Sequence, residues 1–139
     1  MSSPKERIVR WQGPVSDEDI VATEEKLGVL FPAAYREFLA SHGSGVVGPH
    51  EIYGLGGSPE RSPHLLWLIA DLKELRLIRP AQLIPFYAEG DGDYSAVLAA
   101  PLHGHRTGAV VYWSPRPDDT LDLRPAFDSF DEWYAHRVG

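Results

Sequence analysis

The sequence contains no cysteine, so disulfides and thiolate metal sites are excluded, and the fold must hold by packing alone. It lacks an apolar run of the roughly 20 residues that a bilayer-spanning helix needs. It lacks a basic surplus: the formal net charge is -7, which argues against neutralising nucleic-acid phosphates and against anionic lipid. It lacks repeats and low-complexity tracts, and its 12 prolines and 13 glycines are scattered as punctuation rather than gathered into a linker. Its start, Met1 through Arg7, is polar with no apolar core behind it, which predicts no secretory leader. These absences together suit a cytoplasmic protein.

What is present is enough apolar material for a core. The 139 residues are 43% hydrophobic and 11% aromatic, which fits one domain without staples. Residues 1–15 read as a polar lead-in to that single domain, 1–139. Acid concentrates in two stretches: residues 16–60 carry a net -6 and residues 118–139 a net -4. Such a field suits a basic protein partner, because complementary charge steers encounter.

Helix signals come first. Ser16 is placed to cap a helix, with Asp19 three residues on as its box partner, and Gly28 is placed to end it. Pro32 fits the first turn of a second helix. Phe31, Tyr35, Phe38, Leu39 and His42 share one face of it, and Gly43 closes it. His42 reads as a cap or a core histidine. Within the glycine-broken stretch that follows, Glu51 through Leu55 reads as a short strand. Pro63 opens a third helix, with Leu65, Leu68, Ile69, Leu72 and Leu75 on one stripe and Pro80 marking its end.

The period then changes. Leu83 through Ala88 reads as a strand, and Pro85 within it predicts an edge position or a bulge. Glu89-Gly90-Asp91-Gly92-Asp93 is a turn signal, Tyr94 through Leu98 the return strand, and Gly108 through Trp113 a third strand. Ser129 caps a last helix with Glu132 as box partner and Phe130, Trp133 and Tyr134 as its apolar face. The expected fold class is α+β: a central antiparallel meander packed with two N-terminal helices, a middle helix and a C-terminal helix.

These signals, in this order, resemble the SUKH superfamily. Ile20 through Leu30 is similar to the family's first helix and its Leu-Gly exit. Phe31-Pro32 leading into Tyr35-Arg36-Glu37-Phe38-Leu39 is similar to its most recognisable motif. Phe86 through Val97 resembles its central hairpin, and Ser129-Phe130-Asp131-Glu132-Trp133 its closing helix. The chain departs from the family at His42-Gly43, where members often carry Asn-Gly, and at Phe31, where leucine is usual. The stretch from Gly56 to Pro80 matches no family motif. The resemblance implies binding without catalysis and without a cofactor. Bacterial members are mostly immunity proteins that neutralise a cognate toxin, often a nuclease; a fungal member is a cell-wall regulator.

Three constellations carry chemistry on paper. Glu89, Asp91 and Asp93 are three acids within five residues, read either as a metal or acid/base site or as an acidic hairpin. The hairpin is favoured, because tight turns demand Asp and Gly and a calcium loop needs more oxygen ligands and a terminal glutamate. His103 and His105 lie on one connection, but zinc wants three or four ligands; Asp91 and Asp93 would have to be brought to them to make a metal-dependent hydrolase. Aromatics beside acids make the third set. In the meander, period two separates Val110 and Tyr112 from Ala109, Val111 and Trp113, and either set is free to face outward. The expected partner-binding residues are Glu89, Asp91, Asp93, Tyr94, Tyr112 and Trp113, with no catalytic or metal residue. The expected partner is a basic toxin domain docked on an acidic sheet face. A regulatory adaptor with several modest partners is the alternative, and the hydrolase a third reading.

Overall fold

The computed structural model describes residues 8–118 and 120–139. The elements run β1 (Val9–Trp11), α1 (Asp17–Leu27), α2 (Ala33–Ser41), β2 (Gly45–Val47), β3 (His50–Ile52), α3 (Leu65–Glu74), β4 (Leu83–Ala88), β5 (Tyr94–Leu98), β6 (Val110–Ser114), β7 (Asp122–Phe127) and α4 (Phe130–Arg137). The α+β class holds, but there are two antiparallel sheets rather than one. A three-stranded sheet has the order β1-β2-β3 and a four-stranded sheet the order β4-β5-β6-β7.

Local chemistry sets the helix ends. The Ser16 hydroxyl accepts from the Asp19 amide, and Gly28 closes α1 in the left-handed region, its N–H donating to the Glu24 carbonyl. Glu24 is a buried acid on α1, and its carboxylate accepts from the Phe31 amide at 2.8 Å. Arg36 approaches the same carboxylate at 3.6 Å, so one buried side chain pins α1 to the start of α2. On α4 the box is closed from both sides. Ser129 accepts from the Glu132 amide, and Glu132 accepts from the Asp128 amide.

Close backbone contact explains part of the glycine-broken stretch. A Cβ on Gly54 would collide with the Gly43 carbonyl, whose residue ends α2 at a φ of +77°. Tyr35 locks the same region: its buried hydroxyl donates to the Tyr53 carbonyl at 2.8 Å, and burial pushes its pKa up.

The four-stranded sheet is covered on both faces. Ile84, Phe86, Val97 and Val110 pack with α2 and α4 through Tyr35, Phe38, Phe130 and Trp133. Leu83, Ala96, Leu98, Val111 and Trp113 pack with Leu68 and Leu72 of α3 on the other side. A strand covered on both sides has no solvent face, so β5 is buried from Ser95 to Leu98 and shows no polar alternation. Pro85 lies in edge strand β4 next to a register shift between Pro85 and Tyr87, so both roles expected of it are filled.

Four expectations are corrected. Residues 1–15 are not all lead-in, because Val9–Trp11 pairs with β2. The strand read at Glu51 through Leu55 is β3, which starts at His50 and stops at Ile52. The third helix begins one residue after His64, whose ring rather than Pro63 makes the cap, and ends at Glu74, well before Pro80. The meander has a fourth strand, β7, carrying Pro125 and Arg124.

Candidate partner-docking site

The register of the four-stranded sheet places Tyr87 opposite Ser95, Ser95 opposite Tyr112 and Tyr112 opposite Arg124. The four side chains form one row across all four strands on the α4 face. Trp133 of α4 reaches this row, its indole N–H donating to the Ser95 hydroxyl at 3.2 Å. The Ser95 hydroxyl in turn donates to Glu89 at 2.6 Å.

Glu89 also receives Arg137 from the end of α4 at 2.7 Å, with the two side chains 16% and 24% exposed. The Arg137 guanidinium lies 5.6 Å from the Tyr87 ring centre and 5.9 Å from that of Tyr112. Arg124 sits over the other side of the row, 5.9 Å from the Tyr112 ring and 3.1 Å from Asp93. At the far edge the Tyr87 hydroxyl meets His50 Nδ1 at 2.8 Å.

Charge in this cluster is mutually satisfied. Burial works against the charged form of Arg137, but its hydrogen bonds to Glu89 and Tyr112 outweigh that and hold its pKa up. Burial raises Tyr87 despite the opposing pull of Arg137. A carboxylate already committed to a guanidinium and a hydroxyl is a poor base and a poor metal ligand, whereas aromatic rings stacked under arginine are what binding hot spots use.

The expected site residues divide accordingly. Glu89, Asp93 and Tyr112 come together on the α4 face. Asp91 sits at the exposed hairpin tip, its carboxylate accepting from the Asp93 amide. Tyr94 lies on the opposite face, its ring 5.8 Å from Trp113. Trp113 is a correction. It is 1% exposed, because period two turns it toward α3 and away from Tyr112, so it belongs to the core and not to a docking surface.

The hydrolase set is not assembled. Glu89 through Asp93 caps one end of β5, and His103 and His105 lie in the connection at the other end, about 17 Å of strand away. His103 adopts a left-handed φ of +48°, in a tight turn where Leu102 and His105 exchange backbone hydrogen bonds. Among the described residues no group of three or more His, Asp or Glu is placed to hold a metal ion.

Sequence reasoning missed Arg124, Arg137 and Ser95 as partners of the hairpin acids, and Trp133 as the donor to Ser95. Arg137 lies 48 residues from Glu89 and Arg124 lies 31 from Asp93. Reading β7 would have exposed the Tyr112–Arg124 pairing; nothing local in the sequence signals Arg137.

With this geometry in place, comparison with known proteins is decisive for family. The family model of the SMI1 / KNR4 family (SUKH-1) matches residues 14–136. The chain belongs to that family. A crystal structure of a protein from Pseudomonas syringae pv. tomato has the same fold, with a TM-score of 0.67 over 96% of this chain and 89% of that one, at 21% identity. No curated protein matches the chain. The SUKH-1 match runs from before α1 to the last turn of α4, so both sheets except β1 lie inside the family unit.

Proposed function

We propose that this SUKH-1 domain is a non-catalytic protein-docking module of the immunity type, which neutralises a cognate toxin, a nuclease for instance, by direct contact. The observation that carries this reading is the wiring of the row. Its carboxylates Glu89 and Asp93 are held by Arg137 and Arg124, and what the row offers to a partner is aromatic surface and guanidinium edge. The contact edge consists of Tyr112 with Glu89, Asp93 and the exposed tip residue Asp91, with half-buried Tyr94 at the margin. Affinity of such an edge comes from a few desolvated anchors, and charge mainly speeds encounter.

The test is a calorimetric titration against the purified product of the adjacent open reading frame. The expected result is a saturable complex of one to one stoichiometry, weakened about tenfold by Arg124→Glu, a single reversed charge in the row. An adjacent gene without a toxin domain, together with no heat of binding to its product, overturns the reading. Several weak partners in place of one tight one would indicate the regulatory adaptor. Metal bound to the purified protein and lost in a His103→Ala/His105→Ala variant would indicate the hydrolase.

A further inference from the structure

A second surface lies where α4 meets α2. The two helices leave an open cleft of about 360 Å³ between them. Its floor is aromatic: Phe38 and Phe130 have ring centres 5.1 Å apart, and the Tyr134 ring lies tilted beside them, 6.4 Å from Phe38. Its rim is acidic. Glu37 of α2 and Asp131 of α4 both line the cleft, and among the described residues no lysine or arginine does. Both are exposed, and neither has an ion-pair partner among the described residues. In this they differ from Glu89 and Asp93.

The cleft wall adds a third feature. His42 lines it, with its ring stacked on Phe38, and His42 Nδ1 is buried without a hydrogen-bond partner among the described residues. A buried polar atom left unpaired is costly to the fold alone, so its presence calls for an explanation.

We infer that this cleft seats a segment of a partner protein whose apolar side chains are flanked by lysine or arginine. Apolar anchors enter the aromatic floor in the manner of a helix laid in a groove. The flanking cations meet Glu37 and Asp131, which are unneutralised and face the same opening. The inference rests on the docking reading above and adds a location to it: if the toxin is basic, its positive segment is received by the helices rather than by Glu89 and Asp93, which are already paired with arginine.

The experiment uses the full chain, labelled for amide NMR, and two synthetic helix-forming peptides. Both carry Leu and Phe four residues apart; one is flanked by lysines and the other by glutamates. The lysine peptide is expected to shift the amides of Ser41, Asp131 and Ala135, and to bind at least fivefold more tightly than the glutamate peptide, as two exposed ion pairs allow. Glu37→Lys/Asp131→Lys is expected to remove that preference, whereas Glu60→Lys, at an exposed acid outside both surfaces, leaves it within twofold. Equal binding of the two peptides, binding of neither, or shifts confined to the hairpin or to α1 would overturn the inference. So would cleft amides that shift with protein concentration alone alongside a dimer in sedimentation, which would give the cleft to a second copy of the chain. If the adjacent gene's product binds wild type and the double-lysine variant equally, the cleft is refuted and the docking reading stands. If that product does not bind at all while the lysine peptide does, the docking reading fails and the cleft survives.

Discussion

The β4–β5 hairpin and the α2–α4 cleft are both acidic in sequence, and the fold treats their charge in opposite ways. At the hairpin, Glu89 and Asp93 are answered by Arg137 and Arg124, so two of the three acids in that run are committed to internal partners. At the cleft, Glu37 and Asp131 are single acids far apart in sequence, brought to one rim without an ion-pair partner among the described residues. A cluster of charge in a sequence is therefore not a charged surface; the tertiary partners decide which acids are used internally and which remain to meet a partner.

The largest effect should come from the element both regions share. Trp133 is fully buried and ties α4 to the sheet, with Phe86 and Tyr87 packed edge-on against it. Trp133→Ala should cost about 3–5 kcal/mol in chemical denaturation and disturb hairpin and cleft amides together. A loss confined to one region would show that the two are not mechanically joined.

Next is the internal pair. Arg137→Ala should cost about 2 kcal/mol, because it strips a largely buried Glu89 of its cation, whereas Arg124→Ala, at a more exposed pair, should cost under about 1 kcal/mol. Equal small losses for both would mean that the hairpin acids are not structurally committed.

His64 sharpens the contrast from another direction, since here the fold uses the neutral form of an ionisable group. Its Nδ1 accepts from the Leu66 amide at 3.1 Å and caps α3. Burial, assisted by the charge of Lys26, pushes its pKa below the ordinary histidine value of 6.5. Its contribution is therefore complete above pH 6.5 and is lost as pH falls through the depressed value, because only the unfolded chain protonates freely in that window. His64→Ala should cost about 1 kcal/mol at neutral pH. His64→Asn, which keeps a capping oxygen, should flatten this part of the pH dependence of thermal unfolding; an unchanged slope would remove His64 from the account.

The smallest effect belongs to the cleft rim. Glu37→Ala and Asp131→Ala should each change stability by less than about 0.5 kcal/mol in the same denaturation assay, because these acids serve no internal partner. A larger loss from either would show that it is a structural residue after all.

Local chemistry explains what was legible in the sequence. Ser16, Gly28 and Ser129 act through neighbours three or four residues away, so their caps are visible without a fold. The same holds for the Glu89–Asp93 turn and for the disruption at Pro85. β1, β2 and β7 escaped because three-residue strands, or a strand with Pro125 and Arg124 at its centre, are held by pairing and not by intrinsic preference. The outward face of β6 could not be chosen because α3 covers the face opposite α4, so Trp113 and Tyr112 are both plausible core residues until a second helix layer is known. The arginines that neutralise the hairpin and the two acids that define the cleft are long-range facts in the same sense.

The most direct test is the association rate of the adjacent gene's product with three forms of this chain at low and high salt. Wild type and Glu60→Lys should associate quickly and slow with added salt to a similar degree, while Glu37→Lys/Asp131→Lys should associate slowly and lose most of that salt dependence. The reverse ranking, with Glu60→Lys crippled and the double variant unaffected, would contradict the assignment of free charge to the helical cleft.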